Sequence, residues 1–249
     1  MSWRLLEEDS TDVYWNLALE ESIAKTNADR DDKIDTLRFW RTKDAVVMGR
    51  LQCLHKEANI AYCQKHNIDI ARRFTGGGAV FHDLGNLNFA ICVDHKKPYA
   101  FKTLRELYWN YIGFIAQGLR KIGIEARYDE RGSCMRIGGS KITGTAGWVK
   151  HGVSFIHGTL LIDSDLDRLR ISLRVPPDQP KYYRDKRRVR CTESKRDRVT
   201  SIACEMQDRP TDTAIKKAII ASIESLTDCK MERGTTTPKE IETAEVLYR

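Results

Sequence analysis

Residues 71–93 read ARRFTGGGAVFHDLGNLNFAICV, and most features of the chain can be ordered around them. The stretch completes one predicted strand, IDIARRF (Ile68–Phe74). It resumes as two more, AVFHD (Ala79–Asp83) and LNFAICV (Leu87–Val93), with a Gly85–Asn86 turn between them. Gly76, Gly77 and Gly78 therefore fall between strands, at a bend in a sheet. A helix does not follow them, and no Lys-Ser/Thr pair follows the last glycine. Both facts exclude a Walker-type phosphate loop, and a Rossmann fingerprint also opens a helix. One glycine here would be a bulge or a tight bend. Three beside Arg72 and Arg73 leave bare backbone N–H groups on which a ligand can lie. The neighbouring guanidinium can hold a carboxylate or a phosphate.

Upstream of this stretch, VYWNLALEESIAKT (Val13–Thr26) carries apolar residues at helical spacing. TLRFWR and AVVMGR read as two strands joined by the short polar turn TKD, and Glu57–Asn67 as a short helix. Downstream, Phe101–Gly123 reads as a long amphipathic helix stopped by glycine. SCMRIGGSKITGTA reads as a hairpin turning at Gly138–Gly139, with Lys141 on the return strand. VSFIHGTLLID is a further strand. SDLDRLRISL then starts a helix with Ser164 or Asp163 as its cap. Two more helices are expected, TDTAIKKAIIASIESLT and TPKEIETAEVLYR, the last with Thr237 capping, Pro238 first and Glu240 closing a capping box. Strands and helices alternate irregularly, with hairpins among them. The expected class is α+β: one mixed sheet flanked by helices.

The 249 residues allow one large domain or two small ones, and 41% hydrophobic residues suit a globular chain. No apolar run approaches the roughly 20 residues of a membrane span. The N-terminus lacks the basic-then-apolar pattern of a signal peptide, so the expected location is cytoplasmic. Seven cysteines, an odd number without a C-x-x-C pair, argue against a zinc site and against a disulfide framework. A formal charge of +7 suggests an acidic partner. The most basic segment, KYYRDKRRVRCTESKRDRVT (Lys181–Thr200), is either a solvated loop or a docking surface. No nucleic-acid-binding module accompanies it. DSDLD (Asp163–Asp167) alternates carboxylates like a calcium loop. It lacks the glycine at the sixth position and the glutamate at the twelfth, and reads as a helix start.

Lys141 taken alone is a surface lysine, but KITGTAG surrounds it with small residues that leave room for a ligand. HGTLL (His157–Leu161) puts a histidine and a hydroxyl on an apolar strand. ARRFTGGGAVFHDLGNLNF, KITGTAG and HGTLL, in this order, together with WNLALEE and VVMGR, strongly resemble the large domain of the lipoate–protein ligase family. The resemblance covers roughly residues 1–225 and is most specific at the glycines and the lysine.

That resemblance implies a fold shared with biotin–protein ligases and related to class II aminoacyl-tRNA synthetases. It implies an enzyme that converts lipoate and Mg·ATP to lipoyl-AMP and passes the lipoyl group to an acceptor lysine. The acceptor would be a lipoyl domain or a glycine-cleavage H-like protein, with no membrane and no nucleic acid involved. Lys141 matches the lysine that bridges the lipoyl carbonyl and the α-phosphate. Arg73 matches the arginine at the nucleotide and carboxylate. Gly76, Gly77, Gly78, Ala79, Val80 and Phe81 would form a wall for the adenylate, with His82 packed near the acyl chain. Leu17, Val47, Arg73 and His157 would line the lipoate slot. No metal ligand is assigned on the chain.

Many ligases of this family carry a C-terminal accessory domain for which this chain leaves no room. The expectation is a single catalytic domain over residues 1–249, served by a separate accessory polypeptide, without which it adenylates poorly or not at all. A basic face over Lys181–Arg198 would dock an acidic acceptor, so charge reversal at Lys186, Arg187 and Arg188 would raise the acceptor KM. The alternative within the superfamily is an octanoyl- or lipoyl-transferase that takes an acyl-carrier donor without ATP, some members using a cysteine. Cys134, seven residues before Lys141, is the candidate weighed for that role and reads as structural. Biotin ligation is disfavoured because RRFTGGG replaces the expected GRGRxG-type loop. A non-enzymatic nucleotide or nucleic-acid binder is disfavoured because Arg73 and Lys141 both stand in their expected settings.

Overall fold

The computed structural model describes residues 2–180 and 191–249. Its strands are β1 (Ser2–Glu7), β2 (Thr36–Trp40), β3 (Ala45–Met48), β4 (Asp69–Arg72), β5 (Val80–His82) and β6 (Asn86–Asp94). They continue as β7 (Arg127–Asp129), β8 (Cys134–Ile137), β9 (Ser140–Lys141), β10 (Thr145–Lys150), β11 (Val153–Leu161) and β12 (Lys230–Arg233). The helices are α1 (Val13–Asp29), α2 (Leu54–Glu57), α3 (Ile60–Lys65), α4 (Leu104–Leu107), α5 (Gly113–Lys121), α6 (Leu166–Ser172), α7 (Ile202–Glu205), α8 (Asp212–Thr227) and α9 (Pro238–Tyr248).

A six-stranded sheet in the order β10-β11-β6-β2-β1-β12 forms the frame. β10, β11, β6 and β2 pair with one another antiparallel in that succession, whereas β1 pairs in parallel with both β2 and β12. All nine residues of β6 are buried, because both faces of the sheet are covered. Leu87, Phe89, Ile91 and Val93 face a core shared with Leu119 of α5 and Ile219 of α8. Ala90 and Cys92 face the other way, onto Leu19 and Ile23 of α1. That alternation is the period of two that a strand imposes. The expected mixed sheet with flanking helices is the fold.

Two smaller sheets, β4-β3-β5 and β7-β8-β9, complete it. The two strands predicted on either side of TKD exist but do not pair with each other. β2 belongs to the large sheet and β3 to the small one, so TKD passes the chain between sheets. Thr42 and Lys43 are anchored there on the Thr11 carbonyl. The helix expected over 57–67 is shorter: a separate helix, α2, ends at Glu57, and α3 runs from Ile60, capped by Asn59 through Tyr62 N–H. The helix expected over 101–123 begins at a Thr103–Glu106 capping box and contains a five-residue π segment, Tyr108–Ile112. Asp165, not Ser164 or Asp163, caps α6: its carboxylate accepts from Asp167 and Arg168 N–H, while the Ser164 side chain is turned inward. The Gly138–Gly139 turn, both residues at positive φ, and the Thr237–Glu240 box are as the sequence indicates. Arg4 reaches Glu240 at 2.6 Å with both side chains nearly buried, fastening α9 to β1.

Candidate functional site

The face of the large sheet that carries α1 does not close on it completely. Trp40 of β2, Asn88 of β6, and His157 and Thr159 of β11 meet Leu17 and Glu20 of α1 there. Val47, Val80 and His82 of the small sheet form the opposite wall. Together they enclose a cavity of about 310 Å³. Gly77, Gly78, Arg73 and Thr145–Ala146 form its rim, and Thr192–Lys195 lie across it. Of the residues singled out from sequence, Leu17, Val47, Arg73, Gly77, Gly78, Ala79, Val80, His82, Lys141 and His157 all line this cavity. Gly76 and Phe81 do not. Gly76 is exposed and turns its carbonyl to Arg73. Phe81 points to the far side of β5, as alternation requires, and contributes to a second cavity.

Arg73 is 5% exposed, and its guanidinium is committed to the turn. It donates to Thr75 Oγ1 (3.1 Å) and to the carbonyls of Val47 (3.1 Å), Gly76 (2.6 Å) and Gly78 (2.7 Å). Burial pulls its pKa down to about 10, with Tyr108 and Glu20 opposing, so the charge persists at neutral pH. The arginine thus fixes the bare backbone in shape by satisfying carbonyls that a tight turn would otherwise orphan. Gly77 has φ +86°, and a Cβ there would lie 2.9 Å from Arg73 Nη2. Below the turn, Gly49 is required by close approach, since its Cβ would meet the Gly77 carbonyl oxygen at 2.2 Å.

A buried chain of polar groups supports the same turn. His157 Nδ1 lies 2.5 Å from Glu20 Oε2, and His157 Nε2 lies 2.8 Å from Thr75 Oγ1. Trp40 Nε1 donates to the other Glu20 oxygen at 2.6 Å. Sequence reasoning found His157 but missed Glu20, Trp40 and Thr75. The available signal was Glu20 itself, a carboxylate on the buried face of a helix with no exposed reason to be there. His82 stands across the cavity, edge-on to Trp40 at 5.6 Å between ring centroids. Burial, reinforced by Arg73 and His157, pulls its pKa down to about 3, so the ring is neutral.

Lys141 projects from β9, whose backbone is paired to the segment beyond residue 190: Lys141 N–H donates to Arg198 O, and Thr200 N–H to Lys141 O. The nearby carboxylate Asp197 is taken by Arg136 at 2.5 Å. Lys141 lines the 310 Å³ cavity and also an adjoining one of about 740 Å³. Ala79, Val80 and Thr159 are shared in the same way, so these residues form a common wall. The larger cavity has apolar sides from Phe81, Leu169 and Leu173 and basic ones from Arg170, Arg174, Arg196 and Arg198. Ser194 covers part of the glycine strand: its Oγ accepts from Ala79 N–H at 2.8 Å and from Gln52 Nε2 at 3.0 Å.

Cys134 is buried, its thiol is pushed up by burial, and it lines neither cavity. Among the described residues no group of three or more His, Cys, Asp or Glu side chains is disposed to hold a metal ion, and no helix is long and apolar enough to cross a membrane. Lys186, Arg187 and Arg188 lie outside the described residues.

Residues 12–224 match the lipoyl protein ligase A/B catalytic domain. The chain belongs to that family. Lipoate-protein ligase A subunit 1 of Thermoplasma acidophilum is 31% identical over 256 residues, spanning 98% of this chain and 91% of its own. A T. acidophilum lipoate protein ligase structure with bound lipoic acid superposes with a TM-score of 0.83 at 25% identity, covering 100% of this chain and 95% of that one. A lipoate-protein ligase A bound with ATP gives 0.82 at 26%, covering 100% and 94%. A bipartite ligase from T. acidophilum, solved in a study of that ligase and its E2 lipoyl domain, gives 0.83 at 29%, covering 100% and 92%.

Proposed function

We propose that this lipoyl-ligase-family chain is the catalytic subunit of an ATP-dependent lipoate–protein ligase, working in the cytoplasm. The observation that carries the reading is the placement of Lys141 on the wall between two cavities. The smaller has apolar walls from Leu17, Trp40, Val47 and Val80 that suit an acyl chain. The larger has the mixture of apolar walls and arginines that a nucleotide needs. A mixed anhydride laid across the wall puts its carbonyl and its α-phosphate on either side of one ammonium group.

In the first step a lipoate carboxylate oxygen attacks the α-phosphorus of ATP, and pyrophosphate leaves. In the second a lysine amine of the acceptor attacks the carbonyl, and AMP leaves. Negative charge grows beside Lys141 in both, so one fixed cation lowers both barriers. Gly77, Gly78 and Ala79 offer backbone close to the phosphate, held in shape by Arg73. Neither step needs a protein nucleophile, so positioning supplies much of the rate. Mg²⁺ arrives on the triphosphate of its substrate, and among the described residues no carboxylate cluster competes for it.

The acceptor is a lipoyl domain or a glycine-cleavage H-like protein, and a separate accessory polypeptide completes the enzyme. The name and the structural study of the archaeal relatives support a separate subunit and a lipoyl-domain acceptor. The transferase alternative is less well supported, because Cys134 is a buried thiol that lines neither cavity. The test is mass spectrometry of reactions with lipoate, Mg·ATP, an acceptor lipoyl domain and the accessory polypeptide. The expected products are AMP and an acceptor heavier by one lipoyl group. An acceptor modified only from an acyl-carrier donor, without ATP, would overturn the reading.

A further inference from the structure

The inner end of the 310 Å³ cavity is not apolar throughout, and this bears on which acid the site selects; the inference rests on the ligase reading above. Asn88 is 2% exposed and lines the cavity, yet only its oxygen is engaged, by Asn86 Nδ2 at 3.0 Å. Its Nδ2 has no hydrogen-bond partner among the described residues. His82, 3% exposed on the opposite wall, has neither ring nitrogen partnered among them. Buried donors of this kind are costly unless something supplies an acceptor.

Their place in the fold defines what that acceptor is. Across the large sheet the row runs from Thr159, beside Gly144 and the Lys141 wall, to Asn88 and then to Trp40. An acid held by its carboxylate at Lys141 therefore carries its far end to Asn88, His82 and Trp40. Two strand spacings, roughly 10 Å in all, separate Thr159 from Trp40, about the length of a five-carbon chain ending in a ring. A straight hydrocarbon tail would press methylene groups on the Asn88 and His82 nitrogens and leave their N–H groups unmet. A dithiolane brings two sulfur atoms, weak but real acceptors, to the same spot.

We propose that Asn88, with His82 opposite, determines specificity by donating to the ring sulfurs, so that the site prefers lipoate to octanoate and to any sulfur-free acid of the same shape. A site built to hydrogen-bond its ligand rejects an analogue lacking the acceptor, because the donors are then left buried and unmet.

Isothermal titration of the whole chain tests this with lipoate and 5-cyclopentylpentanoate, the same skeleton with both sulfurs replaced by CH₂. The native chain should bind lipoate about tenfold more tightly. In Asn88→Leu, which keeps the branched shape and removes the donor, the ratio should fall towards one; Asn88→Ala serves if that variant melts early. The comparison is a ratio within one protein, so a general loss of packing cancels. Equal affinity for the two acids in the native chain overturns the assignment while leaving the ligase reading intact. An unchanged ratio in a folded Asn88 variant overturns the role of Asn88. Binding of neither acid overturns the ligase reading and this inference with it.

Discussion

Acidification should weaken this protein in part through the imidazole of His82. His82 is buried, its ring nitrogens have no partner among the described residues, and its pKa is held down to about 3 by burial, Arg73 and His157. In the unfolded chain the same group titrates near 6.5. Below that pH the unfolded state takes up a proton that the folded state refuses, so stability falls as pH falls. The contribution is neutral above about pH 6.5 and grows down to about pH 3, at about 1.4 kcal/mol for each pH unit. Between about pH 6.5 and pH 5 the loss is about 2 kcal/mol, a large share of the 5–15 kcal/mol typical of a domain. His82→Gln cannot titrate, and removes the loss. Urea unfolding of both proteins at the two pH values measures it as a double difference. Carboxylates such as Glu240 and Asp129, whose pKa values are depressed, also weaken the fold in acid, but equally in both proteins. Equal losses in the native chain and the variant would refute the reasoning.

Gly77→Ala should lower unfolding free energy by about 1–3 kcal/mol, because φ is +86° and the new methyl meets Arg73, whereas Gly76→Ala, with nothing in reach of its Cβ, should be nearly neutral; urea titration separates them. Glu20→Ala should cost about 2–4 kcal/mol in the same assay by stranding Trp40 Nε1 and His157 Nδ1, and Glu20→Gln clearly less. Cys134→Ser should retain full acceptor lipoylation by mass spectrometry, and a loss beyond about tenfold would point to thiol chemistry after all.

The glycine bend, the Gly138–Gly139 hairpin and the last helix could be read directly, because each rests on local chemistry: positive φ, two-residue turns, a capping box. The same is true of the cavity-lining residues next to those features, Lys141, Gly77 and Gly78. What escaped was whatever depended on partners distant in sequence. β2 and β3 look like a hairpin pair until the sheets they join are known. β1 and β12 pair across more than two hundred residues, and nothing local in either announces it. Arg73 was visible as a cation, but its commitment to the carbonyls of its own turn depends on folding geometry that composition does not carry. Glu20 was hidden by its apolar neighbours, and Asn88 by a strand that is otherwise apolar from Leu87 to Val93.

The most direct measurement is calorimetric binding of a non-hydrolysable lipoyl-adenylate, with a sulfamate in place of the phosphate, to the native chain and to Lys141→Ala. It needs neither turnover nor an acceptor. Tight binding that weakens about a hundredfold in the variant is expected if one ammonium group spans the acyl and phosphoryl halves. Absence of binding, or equal affinity in the two proteins, would contradict an acyl-adenylate laid across Lys141 between the two cavities.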